Sequence, residues 1–157
     1  MRKIIRVKHK LWDEFSCSLA EGPCVQPAFS SADCFCIVAD NTVETLASMI
    51  WYSAVFRNNC LRGQIITDIP TTNGQLQMDF LNKNIRLLAR ISTKPEFRGQ
   101  GYASELLART IDTLAVKYVE CLTVWPDVRR LLLKHGFVFH GQTVRNNVDY
   151  WLWTKAD

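Results

Sequence analysis

The chain has 157 residues, of which 48% are hydrophobic and 22% charged, with a formal net charge of +4. These are the proportions of a soluble globular protein long enough to bury a core, so we expect one domain over residues 1–157. No apolar run reaches the ~18 residues of a membrane span, and the basic start MRKIIRVKHK leads into LWDEFSCSLA, which carries two acids and no signal-type apolar stretch. The expected location is therefore cytoplasmic.

Five of the 19 Lys and Arg residues fall in the first ten positions (Arg2, Lys3, Arg6, Lys8 and Lys10), leaving 14 against 15 acidic side chains elsewhere. Residues 3 to 9 read as a first strand. Its cations fit a solvated edge that resists edge-to-edge pairing, or a contact for nucleic acid or an acidic substrate. A short helical stretch around Leu11 to Leu19 follows, then a loop over residues 20 to 32 with Gly22, Pro23 and Pro27. CFCIVAD and TLASMIWYSAVF form a hairpin about the turn Asp40-Asn41. The six cysteines (Cys17, Cys24, Cys34, Cys36, Cys60, Cys121) lack metal-ligand spacing, so no metal site is expected and free thiols are.

Residues 57 to 84 are polar and loop-like, with some strand over Gly74 to Phe80. RLLARIST, apolar on both faces apart from Arg86, Arg90 and Ser92, reads as a central strand covered on both sides. After a glycine loop, Ala103, Leu106, Leu107, Ile111, Leu114, Ala115 and Tyr118 recur at helical spacing. YVECLTV is the next strand. Pro126-Asp127 opens a second helix that Gly136 ends, and FVFH and VDYWLWTK close the chain as strands. The fold class expected is α/β (α+β), a mixed sheet flanked by helices.

The loop KPEFRGQGYAS between strand and helix carries the chemistry. A helix N-terminus presents unpaired N–H groups and the positive end of the helix dipole. Gly99 and Gly101 let an anion touch the backbone, and Arg98 adds a charge at the rim; Lys94 is a further candidate. A plain tight turn with a solvated Arg98 is the alternative. Gly99-Gln100-Gly101 with Glu120 some 20 residues on also resembles a dinucleotide fingerprint, but Ser104 replaces the third glycine and hairpins precede it.

Read as Arg98-x-x-Gly101-x-Ala103, the loop resembles the acyl-CoA signature of the GCN5-related N-acetyltransferases (GNAT). The likeness extends over residues 86 to 141 through LLARIST, the helix, VECLTV and Lys134-His135-Gly136-Phe137. It implies a mostly antiparallel sheet of about six or seven strands with two splayed central strands, LLARIST and VECLTV. It further implies acetyl-CoA, or another acyl-CoA, held by backbone N–H groups of Arg98, Gly99, Gln100, Gly101, Tyr102 and Ala103, with Ser104 alongside. The edge of Ile91, Ser92 and Thr93 would pair with the pantetheine arm and polarise the thioester, and an acceptor amine would attack directly.

Departures from the pattern are specific. Leu87 stands where a general base is often found, Leu132 where a Tyr acid often is, and WPD where an Asn often opens the later helix. Three explanations compete: an acceptor needing no strong base, substitutes from Tyr52, Ser92, Asp79, His135 or Tyr150, or acyl-CoA binding without catalysis. We take Tyr52, Ser92 and Tyr150 as catalytic candidates. Arg90 and Asp79 are candidates for substrate contact, although a buried Arg90 paired to Asp79 or Asp149 is an equally structural reading. Trp51, Trp151 and Trp153 read as core or ligand platforms, and His135 and His140 as structural or solvent-facing. The expected activity is N-acyl transfer to an amine of a small molecule or protein. The strand-loop arrangement, the WYS strand and the aromatic C-terminus also resemble, diffusely, the Mom-type phage enzymes that modify DNA adenine; the basic first strand and the abundant aromatics suit flipped-base recognition, which makes nucleic acid the alternative acceptor.

Overall fold

The computed structural model describes residues 2–7, 32–39, 44–53, 60–144 and 147–156. The expected helix at Leu11 to Leu19, the loop up to residue 31, the turn Asp40-Asn41, Lys8, Lys10, Cys17 and Cys24 lie outside the described residues. Within them the order is β1 (Arg2–Val7), β2 (Asp33–Ala39), β3 (Thr45–Ser53), α1 (Cys60–Ile65), α2 (Gly74–Asn84), β4 (Ile85–Thr93), a 3-10 turn (Pro95–Phe97), α3 (Tyr102–Ile111), β5 (Tyr118–Thr123), α4 (Pro126–Lys134), β6 (Val138–Gln142) and β7 (Asp149–Thr154). The strands follow the sheet order β1-β2-β3-β4-β5-β7-β6, a mixed α/β architecture that is mostly antiparallel. None of the described helices is long and apolar enough to cross a membrane.

The chain divides into two compact units, Met1–Tyr52 with Leu88–Leu114, and Ser53–Leu87 with Ala115–Asp157. In the first, β1 runs antiparallel to β2 from Arg2↔Ala39 to Val7↔Cys34, and β2 pairs antiparallel with β3 from Asp33↔Trp51 onward. Alternation puts Cys34, Cys36 and Val38 on one face of β2, where Val7 and Ile50 join them in a buried cluster. α3 packs on β2 through its apolar stripe, burying Leu106, Leu107, Thr110 and Ile111. The Thr110 hydroxyl is satisfied within the helix by donating to the Leu106 carbonyl at 2.7 Å.

In the second unit β7 lies between β5 and β6, antiparallel to both. Its core gathers Ile66, Ile69, Leu81, Ile85, Tyr118, Tyr150 and Leu152. Here the sequence reading needs two corrections. The polar stretch before β4 is not loop with some strand but two helices. Asn73 explains the second of them: its side chain accepts from the N–H groups of Gln75 and Leu76 at 2.8 and 3.3 Å, capping α2. Behind the cap Leu76, Phe80 and Leu81 recur at helical spacing, and Leu81 is buried. The second correction concerns β4, which is not covered on both sides throughout. Ile85, Leu88 and Ser92 are buried, Ala89 is exposed, and the remainder are half-buried.

Candidate functional site

The glycine loop lies in the first unit, between the end of β4 and α3. Lys94 leaves the strand with its N–H on the Leu46 carbonyl at 3.2 Å, and Pro95–Phe97 then make one 3-10 turn, closed by Phe97 N–H on the Lys94 carbonyl at 2.9 Å. Gly99 and Gly101 both take left-handed backbone, φ 76° and 84°. That conformation requires glycine on its own account, since a side chain there is strained whatever space surrounds it. Among the described residues, each glycine's own chain neighbours aside, no atom stands within 4 Å of where a Cβ would sit at either position. Gly101 is also the N-cap of α3 and, having no side chain, makes no side-chain cap bond; Glu105 stands in the first turn. The N–H groups and positive dipole end of this turn therefore follow directly on the loop.

Side chains brace this loop. Arg98, exposed, donates from Nε to the Thr93 carbonyl at 3.4 Å. Gln100 Nε2 donates to the Glu96 carbonyl at 3.2 Å and its Oε1 accepts from the Tyr102 hydroxyl at 3.2 Å. The Tyr102 ring meets Phe97 edge-on at 6.1 Å between centroids. Lys94 does not face an anion position but pairs with Glu44 at 3.5 Å.

Ile91, Ser92 and Thr93 run into the loop as expected. Ile91 and Thr93 are half-buried, whereas Ser92 is buried with its Oγ 2.9 Å from the Ser48 Oγ of β3. Ala103 and Ser104 occupy the first turn of α3 and are half-buried. Tyr52, near the end of β3, packs against the Cys34 cluster while keeping part of its surface accessible. Arg90 is half-buried, and among the described residues no carboxylate pairs with it. The partners expected for it are taken: Asp79 accepts from Gln75 at 2.9 Å, and Asp149 pairs with Arg129 at 2.6 Å.

Tyr150 and Asp79 belong to the second unit. Tyr150 has no exposed surface, and its hydroxyl donates to Glu120 Oε2 at 3.1 Å. Burial, then the Glu120 charge, pushes its pKa far above the ordinary phenol value. The hydroxyl, a catalytic candidate on the sequence, is thus engaged with Glu120 in the core of the second unit. Glu120 itself is buried and receives Arg62 Nε at 2.8 Å together with a second guanidinium contact. A carboxylate so committed has no oxygen to spare for a ribose, which removes the support for the dinucleotide likeness. This Arg62–Glu120–Tyr150 group and the Ser48–Ser92 pair escaped the sequence reading, because strand register and long-range packing create them and no local motif marks them. Leu132, at the position of the missing acid, is fully buried.

No protein-family model and no curated protein sequence matches this chain. Solved structures do. The ribosomal-protein-S18-alanine N-acetyltransferase from Escherichia coli superposes over 100% of this chain and 97% of its own, with TM-score 0.62 at 13% identity. The chain has the GNAT fold. The same fold relates it to the KacTA–DNA complex, over 98% of this chain and 93% of that one, with TM-score 0.58 at 16% identity. It also relates it to the NatC complex bound to Gag peptide and CoA, over 78% and 71%, with TM-score 0.52 at 12% identity. Identities at this level speak for the architecture alone.

Proposed function

We propose that the chain is an acyl-CoA-dependent N-acyltransferase, its cofactor held by the Arg98–Ser104 loop and the main chain of Ile91–Thr93. The observation that carries this reading is the pair of left-handed glycines, open on their Cβ side among the described residues, leading into a helix whose N-cap is Gly101, next to Arg98. These residues fit a pyrophosphate: N–H groups and a dipole end supply charge complementarity. Bound there, an acyl thioester supplies an activated acyl group. The chain's part is to hold the loop, to orient the carbonyl along β4, and to receive an amine that arrives deprotonated. With leucine at positions 87 and 132, proton handling falls to the hydroxyls at hand, Ser92 and Tyr52. Their contribution is modest compared with positioning, since general acid–base help is worth roughly 10²–10⁴ in rate.

The acceptor class we favour is an amine on a small molecule or a protein. Nucleic acid is the less favoured acceptor, because two of the five basic residues at the start of the chain are already paired internally, Arg2 with Glu105 and Arg6 with Asp33. Its support is the GNAT-fold neighbour solved with DNA. The buried thiols of Cys34, Cys36 and Cys121, which are not in disulfides, suit the reducing cytoplasm we assign.

Calorimetric titration with acetyl-CoA tests the reading. Wild type binds, and Gly101→Val, which puts a β-branched residue at φ 84° and a side chain into the open face, does not, while its circular dichroism stays native. Equal affinity in the two proteins, or none in wild type, overturns it. Turnover of an amine then separates an enzyme from a binding module: acetyl-CoA bound tightly with no acceptor accelerating thioester loss identifies the latter.

A further inference from the structure

The first strand reaches the loop. Arg2, on the edge strand β1, sends its side chain to α3, 103 positions away in sequence, where Nη1 lies 3.1 Å from Glu105 Oε2. Its guanidinium carbon sits 4.7 Å from the centroid of the Tyr102 ring. Tyr102 is the first residue of α3, and its hydroxyl and ring tie Gln100 and Phe97 together as described above. One arginine therefore closes a set of contacts spanning the loop: Arg2 on Tyr102, Tyr102 on Gln100 and Phe97, Gln100 on the Glu96 carbonyl.

We propose that Arg2 is a positioning residue for the cofactor loop. It orders Phe97–Tyr102 before any cofactor arrives, so that the N-terminal strand sets the loop's affinity for acyl-CoA. The inference rests on the acyl-CoA reading for its ligand, but not for the ordering itself. Its physical basis is that two left-handed glycines make the loop costly to fix: glycine loses more backbone freedom than any other residue. Contacts made in advance remove part of that cost from binding. Arg2 acts through Tyr102 rather than as a phosphate ligand, because its guanidinium is already engaged by Glu105 on one side and by the ring on the other. Glu105 is shared with Arg109 at 3.3 Å, which holds the carboxylate in place along the exposed face of the helix.

The test is amide hydrogen exchange on the full chain without cofactor, paired with acetyl-CoA titration, for wild type, Arg2→Ala, Arg2→Lys and Lys3→Ala. Lys3 is the charge-matched control on the same strand. Arg2→Ala is expected to speed exchange at Arg98 and Glu105, the amides bonded across the loop and first turn. It should weaken acetyl-CoA about three- to thirtyfold, the range of one exposed cation–π contact plus one surface ion pair. Arg2→Lys keeps the charge but loses the planar stack, and falls between. Lys3→Ala matches wild type.

Unchanged exchange in Arg2→Ala overturns the proposal. So does an equal loss in Lys3→Ala, which reports overall charge. A loss in Arg2→Ala that vanishes with 3′-dephospho-CoA overturns it too, by making Arg2 a direct phosphate contact. Should wild type bind no acetyl-CoA, the acyltransferase reading fails by itself, and the exchange rates still decide whether Arg2 orders the loop.

Discussion

Glu120 shows how one buried carboxylate is held and what it costs to disturb it. Its side chain is 1% exposed and Arg62 is nearly as deep, so each charge depends on the other for what water no longer supplies. Burial, the largest single influence, would lower the Arg62 pKa, yet the hydrogen bond it donates to Glu120, the Glu120 charge and Tyr150 together outweigh it, and the net direction is upward. Replacing Glu120 by Gln leaves the guanidinium buried without a counter-charge, and should destabilise the fold by about 3–5 kcal/mol. Tyr150→Phe removes the hydroxyl's hydrogen bonds to this carboxylate and to Arg62 and should cost about 1.5–3 kcal/mol. Urea unfolding at neutral pH measures both. In the acyl-transfer assay Tyr150→Phe keeps wild-type kcat below its melting range, whereas a large fall there would return Tyr150 to the catalytic group. A Glu120→Gln variant as stable as wild type would mean the ion pair is solvated in solution.

At the level of single elements, α2 is the informative case. Its start depends on Asn73, whose side chain satisfies two N–H groups that the helix leaves open. Asn73→Ala should therefore cost about 1 kcal/mol, against only a few tenths for Asn73→Gly. Matching loss in the two variants would show that the cap is idle. This helix was hard to read because Gly74 and Pro70 punctuate the segment as a turn would, and because only Leu81 of its residues is buried, so the apolar stripe is narrow. The glycine loop was easy to read for the opposite reason. Arg98, Gly99 and Gly101 sit within four positions, and the anion logic they express needs nothing from elsewhere in the chain. The local pattern does not announce that Lys94 turns to Glu44, nor that Asp79 and Asp149, the acids expected for Arg90, are engaged by Gln75 and Arg129. Contacts such as Ser48 to Ser92, 44 residues apart, or Arg62 to Glu120, 58 apart, come into being only with strand register, and periodicity along the chain does not encode it.

Over the whole molecule the buried thiols make a prediction about alkaline stability. Burial raises Cys34 from 9.0 to about 11, and Cys121 to about 12, with Asp33 and Glu120 adding to the respective shifts. Both groups keep their protons in the native state at a pH where the unfolded chain has released them. Their stabilising contribution is complete below the unfolded value of 9.0 and is lost as pH rises from there toward the native values. The unfolded state binds fewer protons over that window, so stability falls with pH, more steeply by up to about two protons than it would without these thiols. Tyr150 contributes with the same sign above the phenol range, its pKa being raised by burial first and by Glu120 second. Urea midpoints collected from roughly pH 8 to 11 on wild type and on Cys34→Ala/Cys121→Ala isolate the thiol part, because Tyr150 is common to both and cancels. The variant should start less stable, having lost packed sulfur from both units, and should then decline along the shallower line. Parallel lines would mean that both thiols ionise in the native protein as readily as in the unfolded chain, against the burial of Cys34 and Cys121.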